Sequence, residues 1–104
     1  MKYELFMGRS TPDGGTVSDQ QWESFLSDTV TPRFPDGLTE LDARGQWRNS
    51  EGQILKEGAK LLVILTPPGE DLRQLIDEVS AEYKDRFNQE SVLEVESNTC
   101  VSFS

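Results

Sequence analysis

The stretch Lys60-Leu61-Leu62-Val63-Ile64-Leu65 decides the fold. Thr66-Pro67-Pro68-Gly69 follows it, and proline cannot donate to a β-ladder, so the run ends there. Five consecutive apolar residues are too few for a helix of ordinary length and far too few to cross a bilayer. A strand that is apolar on both sides is covered on both, which places it inside a sheet.

The strand extends back to Ile54, with Gly58 as a candidate bulge. Upstream, residues 38–47 alternate. Thr39, Leu41, Ala43, Gly45 and Trp47 share one face, and Glu40, Asp42, Arg44, Gln46 and Arg48 share the other. Asn49-Ser50-Glu51-Gly52 joins the two strands as a hairpin with glycine in the left-handed position.

Further out, residues 3–7 form a strand by propensity, with Glu4 inside it. Gly8 to Gly15 is turn chemistry, and no phosphate-cradling glycine motif is present. Ser18 and Gln21 have capping-box spacing, and Trp22, Phe25, Leu26 and Val30 fall at helical intervals. Pro32 ends that helix, and Phe34 plugs the following loop onto the core. A second helix places Glu70 and Asp71 in its first turn, a stripe of Leu72, Leu75, Ile76, Val79, Tyr83 and Phe87, and Lys84 and Arg86 in its last turn. Asn88 suits a left-handed cap. Residues 91–95 form a last strand, and residues 98–103 a further extended piece.

The order strand, helix, strand, strand, helix, strand gives an α+β, ferredoxin-like βαββαβ sandwich. One domain spans residues 1–104, with a four-stranded antiparallel sheet and two helices on one face. The first and third strands, the most apolar, are central.

Composition narrows the function. A net charge of −9 repels phosphate backbones and anionic membranes. With no histidine and a single cysteine, Cys100, neither an intrachain disulfide nor a Cys/His zinc site can form. Cys100 reads as a small buried hydrophobe. The segment from Met1 to Met7 lacks the apolar core and cleavage site of a signal peptide, so a cytoplasmic location is expected.

With both helices on one side, the other side of the sheet is bare, and either Leu62 and Ile64 or Leu61, Val63 and Leu65 point out of it. Such a strip, rimmed by the polar row Glu40 to Arg48, is composed like an interface or ligand cleft. The expectation is a homodimer through this face or an edge strand. The alternative cover is the tail, with Val101 and Phe103 folded back. Glu4, Arg33, Arg44, Trp47, Lys60 and Arg86 are the candidate ligand-binding residues for a small polar or anionic ligand, with Arg33 or Arg44 as a forked donor. Against this, Glu4 and Lys60 on neighbouring central strands could satisfy each other, and Trp22 and Trp47 read as core. Of the carboxylate pairs, Glu70/Asp71 and Asp77/Glu78 read as solvated, while Glu94 and Glu96 share a strand face. A cofactor-free enzyme using Glu4, Tyr3 or Arg44 is the competing reading, and neither reading calls for a metal or cofactor.

Five segments carry a resemblance. They are Tyr3-Glu4-Leu5-Phe6-Met7-Gly8, Trp22-x-x-Phe25-Leu26, Thr31-Pro32-Arg33-Phe34-Pro35-Asp36-Gly37-Leu38-Thr39, Gly45-Gln46-Trp47-Arg48 and Tyr83-Lys84-x-Arg86-Phe87-x-Gln89-Glu90-Ser91-Val92. The chain resembles, over almost its whole length, a family of small bacterial proteins known as a domain of unknown function. The resemblance implies no established activity. Many members carry a signal segment, which keeps an envelope location beside the cytoplasmic one. It marks Arg33, Gly45, Trp47, Arg86, Gln89, Glu90 and Ser91 as motif positions.

Overall fold

In the computed structural model, which describes residues 1–67 and 70–104, the run at 60–65 lies in a central strand. Pro68 and Gly69 of the proline stop lie outside the described residues. The elements are β1 (Lys2–Gly8), α1 (Asp19–Phe25) continued by a π-helical turn (Leu26–Val30), β2 (Thr39–Arg48), β3 (Ile54–Leu65), α2 (Arg73–Phe87) and β4 (Leu93–Ser97). The strands lie in the order β2-β3-β1-β4, all antiparallel neighbours. This is the expected ferredoxin-like α+β sheet with β1 and β3 central.

Register sorts the side chains. Tyr3 opposes Ile64 and Leu5 opposes Leu62, and these four residues with Met7 are at most 2% exposed beneath the helices. Ser18 caps α1 through the full capping box, which satisfies orphan amides at the helix start. Trp22 and Phe25 then point inward. On α2, Ile76, Val79, Tyr83 and Phe87 are buried. The rings meet edge-on, with Tyr83 at 5.2 Å from Phe25 and 5.1 Å from Phe87 between centroids. The Tyr83 hydroxyl donates to the Gly8 carbonyl at 2.6 Å, tying α2 to the end of β1, and burial pushes its pKa up. Phe34 is buried as expected, and Asn88 adopts the left-handed cap at φ 54°. Gly52 takes a positive φ in the hairpin loop.

Several expectations are corrected. The polar row of β2 does not rim the open face. Glu40 and Asp42 turn to the helix side, where Lys60, only 7% exposed, needs carboxylate partners. Leu41 and Trp47 therefore face out, and Trp47 is 53% exposed rather than core. The β2–β3 register runs unbroken through Gly58, so there is no bulge. Glu70 and Asp71 precede α2, and the Asp71 carboxylate accepts from the Arg73 amide. Cys100 is exposed, residues 98–104 form no strand, and Phe103 is 96% exposed, so its ring covers nothing.

The carboxylates at 77 and 78 are not idle. Glu78 pairs with Arg33 at 3.1 Å. Most of Glu94 is exposed, yet partial burial of its carboxyl against α2, followed by the Asp77 charge, holds its pKa above the ordinary carboxylate range. Glu96 instead pairs with Arg73.

Two outcomes follow from this layering. Leu62→Ala removes a side chain from the sealed side and costs about 2–5 kcal/mol in chemical denaturation, whereas Leu61→Ala, on the open side, costs about 1 kcal/mol or less. A carboxyl whose folded pKa is raised weakens the native state once the pH rises above its unfolded value. Glu94→Gln therefore raises Tm at neutral pH, and the gain over the native chain shrinks as the pH falls into the ordinary carboxylate range.

Candidate functional site

Every second residue of the sheet faces away from the helices. In register, Leu41, Leu61, Phe6 and Leu93 form one unbroken row across all four strands. The next row is Thr39, Val63, Glu4 and Val95. Leu41 is 46% exposed, Leu93 62%, and Phe6, Leu65 and Val95 also remain in contact with solvent. Contiguous exposed apolar surface of this kind is a general feature of interaction sites.

Glu4 sits in the middle of that face. Its neighbours across the strands are Val63 and Val95, neither of which can hydrogen-bond a carboxylate. Lys2, two residues along the same strand face, approaches at 3.9 Å, a loose pair that leaves the carboxylate available. Glu4 thus combines a negative charge with apolar walls, suited to a ligand that has an apolar body and a positive or hydrogen-bond-donating end.

The six candidate residues do not converge. Lys60 lies on the opposite side of the sheet from Glu4, so the two do not satisfy each other. Its ammonium reaches Asp42 at 2.6 Å and Glu40 at 3.6 Å and lies 5.8 Å from the centre of the Trp22 ring. The bond to Asp42 raises the Lys60 pKa and lowers that of Asp42. The Trp22 indole donates to Glu40 as well, so this is a closed network.

Arg33 and Arg86 clasp the π-helical turn. Arg33 Nη1 donates to the Thr29 carbonyl at 2.8 Å while its Nε holds Glu78 on α2. Arg86 reaches from α2 to Asp28 at 2.9 Å, to Thr29 Oγ1 at 3.3 Å and to Glu82 at 3.1 Å, with the Phe25 ring beneath it. The Arg86 guanidinium holds the Asp28 carboxyl below the usual range. Both arginines are therefore engaged in holding α1 to α2.

Arg44 and Trp47 lie on the part of the β2–β3 hairpin that runs beyond the end of β1. They take opposite faces of it, Trp47 in line with Leu41 and Arg44 in line with Asp42. Only Trp47 and Glu4 of the six share the open face. The sequence did not single out Phe6, Leu41 or Leu93 as site residues. The signal was present in the strand register, which aligns them with Leu61, but register is a property of pairing and not of one strand. Among the described residues, no cluster of three metal-ligating side chains occurs, and no helix is long and apolar enough to cross a membrane.

A second concavity, of about 470 Å³, opens beside the start of α2, lined by Tyr3, Glu70, Asp71, Arg73 and Glu96. Its one cation among these, Arg73, is already paired with Glu96. Tyr3, proposed above as an acid/base group, faces this side and not the open face.

Two solved structures share the fold. A phage SAM lyase in its apo state superposes with a TM-score of 0.66 at 21% identity, covering 89% of this chain and 75% of that one. A phage SAM lyase in complex with S-methyl-5'-thioadenosine superposes with a TM-score of 0.67, also at 21% identity, covering 89% and 76%. No curated protein matches. A family model, described as a protein of unknown function (DUF3574), matches residues 2–103, nearly the whole chain. This chain belongs to that family.

Proposed function

We propose that this chain is a binding domain that self-associates through its open sheet face, with Glu4 in that face receiving the polar end of a small ligand. The observation that carries this reading is the unbroken row Leu41, Leu61, Phe6 and Leu93 with the loosely paired Glu4 carboxylate beside it. Four strands at about 4.8 Å spacing and seven residues at about 3.4 Å each present roughly 450 Å² of sheet, and the overhanging hairpin adds about 170 Å². The sum is near the lower end of what each partner contributes to a stable interface.

Sealing the face would bury Glu4, which is costly for an unpaired carboxylate. A ligand donating to it, or Lys2 drawn closer, offsets that cost. Ligand and association are then coupled, each favouring the other.

A second reading is favoured by the fold shared with a structure holding S-methyl-5'-thioadenosine. On that reading the same face serves a cofactor-free reaction on a thioadenosine compound. Of the acid/base groups considered, Glu4 alone lies on the face; Tyr3 is buried under the helices and Arg44 lies on the reverse side of the hairpin.

Light scattering of the native chain at micromolar concentration is expected to give twice the 11.7 kDa chain mass, and Phe6→Asp to restore the single mass. A native chain that stays at the single mass sinks the proposal. S-methyl-5'-thioadenosine at 100 times its Kd contributes ~2.7 kcal/mol, a rise of several degrees in Tm. That rise is expected in the native chain and absent in Glu4→Gln. An equal rise in both would remove Glu4 from the site, and product formation would favour the enzyme over the binding domain.

A further inference from the structure

The β2–β3 ribbon beyond residue 44 is where the molecule departs from a two-layer sandwich. The pairing of β1 with β3 ends at Gly8 and Ala59, while that of β2 with β3 continues to Arg48 and Ile54. The outer pairs therefore have no third strand, and the molecule is drawn out to 46 Å against 28 and 24 Å. A two-stranded ribbon alone is marginally stable in water, yet this one exposes Trp47 by 53%, Ile54 by 55% and Leu55 by 39%. Trp47 and Leu55 oppose each other on the side that continues the open sheet face.

Charge separates the ribbon from the body. Residues 44–58 carry Arg44, Arg48 and Lys56 against Glu51 and Glu57, a net +1, which leaves −10 on the rest of a chain of net −9. The cations Lys2, Arg9, Arg33, Lys60, Arg73 and Arg86 each pair with a carboxylate. Arg44, Arg48 and Lys56 form no ion pair among the described residues.

We propose that in the self-associated form each ribbon lies across the open sheet face of the other copy, placing Trp47 and Leu55 of one chain against Phe6, Leu61 and Leu93 of the other, beside its Glu4. This rests on the self-association argued above and says which parts meet. Two ways of stacking the open faces exist. Body on body brings together two bodies that each carry net −10, which repel. Ribbon on body brings a segment of net +1 to a body of net −10, which attracts at long range, with Arg44, Arg48 and Lys56 on the outer side of the ribbon, opposite Trp47 and Leu55. The lengths also match. Residues 44–48 extend about 17 Å beyond the end of the β1–β3 pairing, and β1 spans about 23 Å of open face. The arrangement is reciprocal, as a two-fold pair requires. Each site is then completed by the other copy: Trp47 from the second chain supplies a further aromatic wall beside Glu4, next to its own Phe6.

Crosslinking in the full chain tests this. In a Cys100→Ser background, one preparation carries Trp47→Cys and another Leu93→Cys, and the two are mixed and oxidised. The expected dominant product is the mixed dimer joining positions 47 and 93. Separately, Trp47→Ala is expected to weaken self-association of the otherwise native chain about tenfold or more, as loss of a buried interface tryptophan does. Dominant crosslinking of 93 to 93, with association unchanged in Trp47→Ala, overturns the ribbon placement and leaves self-association through the open face standing. A native chain of single mass overturns both. Because both positions are exposed in the single chain, neither substitution touches the core, and circular dichroism matching the native chain confirms that each variant is folded.

Discussion

Period-two alternation in the two central strands governs this molecule. Tyr3, Leu5 and Met7 on β1, and Leu62 and Ile64 on β3, are committed to the helices. The backbone cannot send them there without sending Glu4, Phe6, Leu61, Val63 and Leu65 the other way. Both helices lie on one side because each crossover returns right-handed to the same sheet. What is left on the other side is an apolar surface that the described residues leave in contact with solvent. The stability of the core and the availability of the face have one origin.

Polar chemistry divides along the same plane. On the helix side, charges are tied into closed sets: Lys60 with Asp42 and Glu40, Arg33 with Glu78, Arg86 with Asp28 and Glu82. These sets fix α1, its π-helical turn and the β2 edge in place. On the open side Glu4 and its loose partner Lys2 interrupt the hydrocarbon, and Glu57, toward the hairpin end, accepts from the Ser10 amide. An engaged charge contributes to architecture, and a charge without a close partner remains available to a ligand.

The layout of elements was legible in the sequence because each was announced by local chemistry: the capping box at Ser18, the left-handed Asn88, the glycine of the hairpin loop, and the apolar hexapeptide itself. The family was also legible, and Arg33 and Arg86, read as motif positions, serve the helix pair. What could not be seen was which side of β2 met the helices. Its apolar residues suggested the inward side, but the strand lies at the sheet edge, where a buried Lys60 on its neighbour asks for Asp42 and Glu40 instead. That single requirement turned Leu41 and Trp47 outward. Gly58, read as a bulge, keeps regular pairing because nothing opposite it calls for an extra residue.

The exposed thiol of Cys100 has a practical corollary. It sits in a tail outside the sheet, and no second cysteine competes for it. In air, two chains can therefore become joined tail to tail by a covalent bond that owes nothing to hydrophobic contact. Such a species has the mass of a dimer without being one in the sense that matters, and only a reducing solution distinguishes adhesion from oxidation.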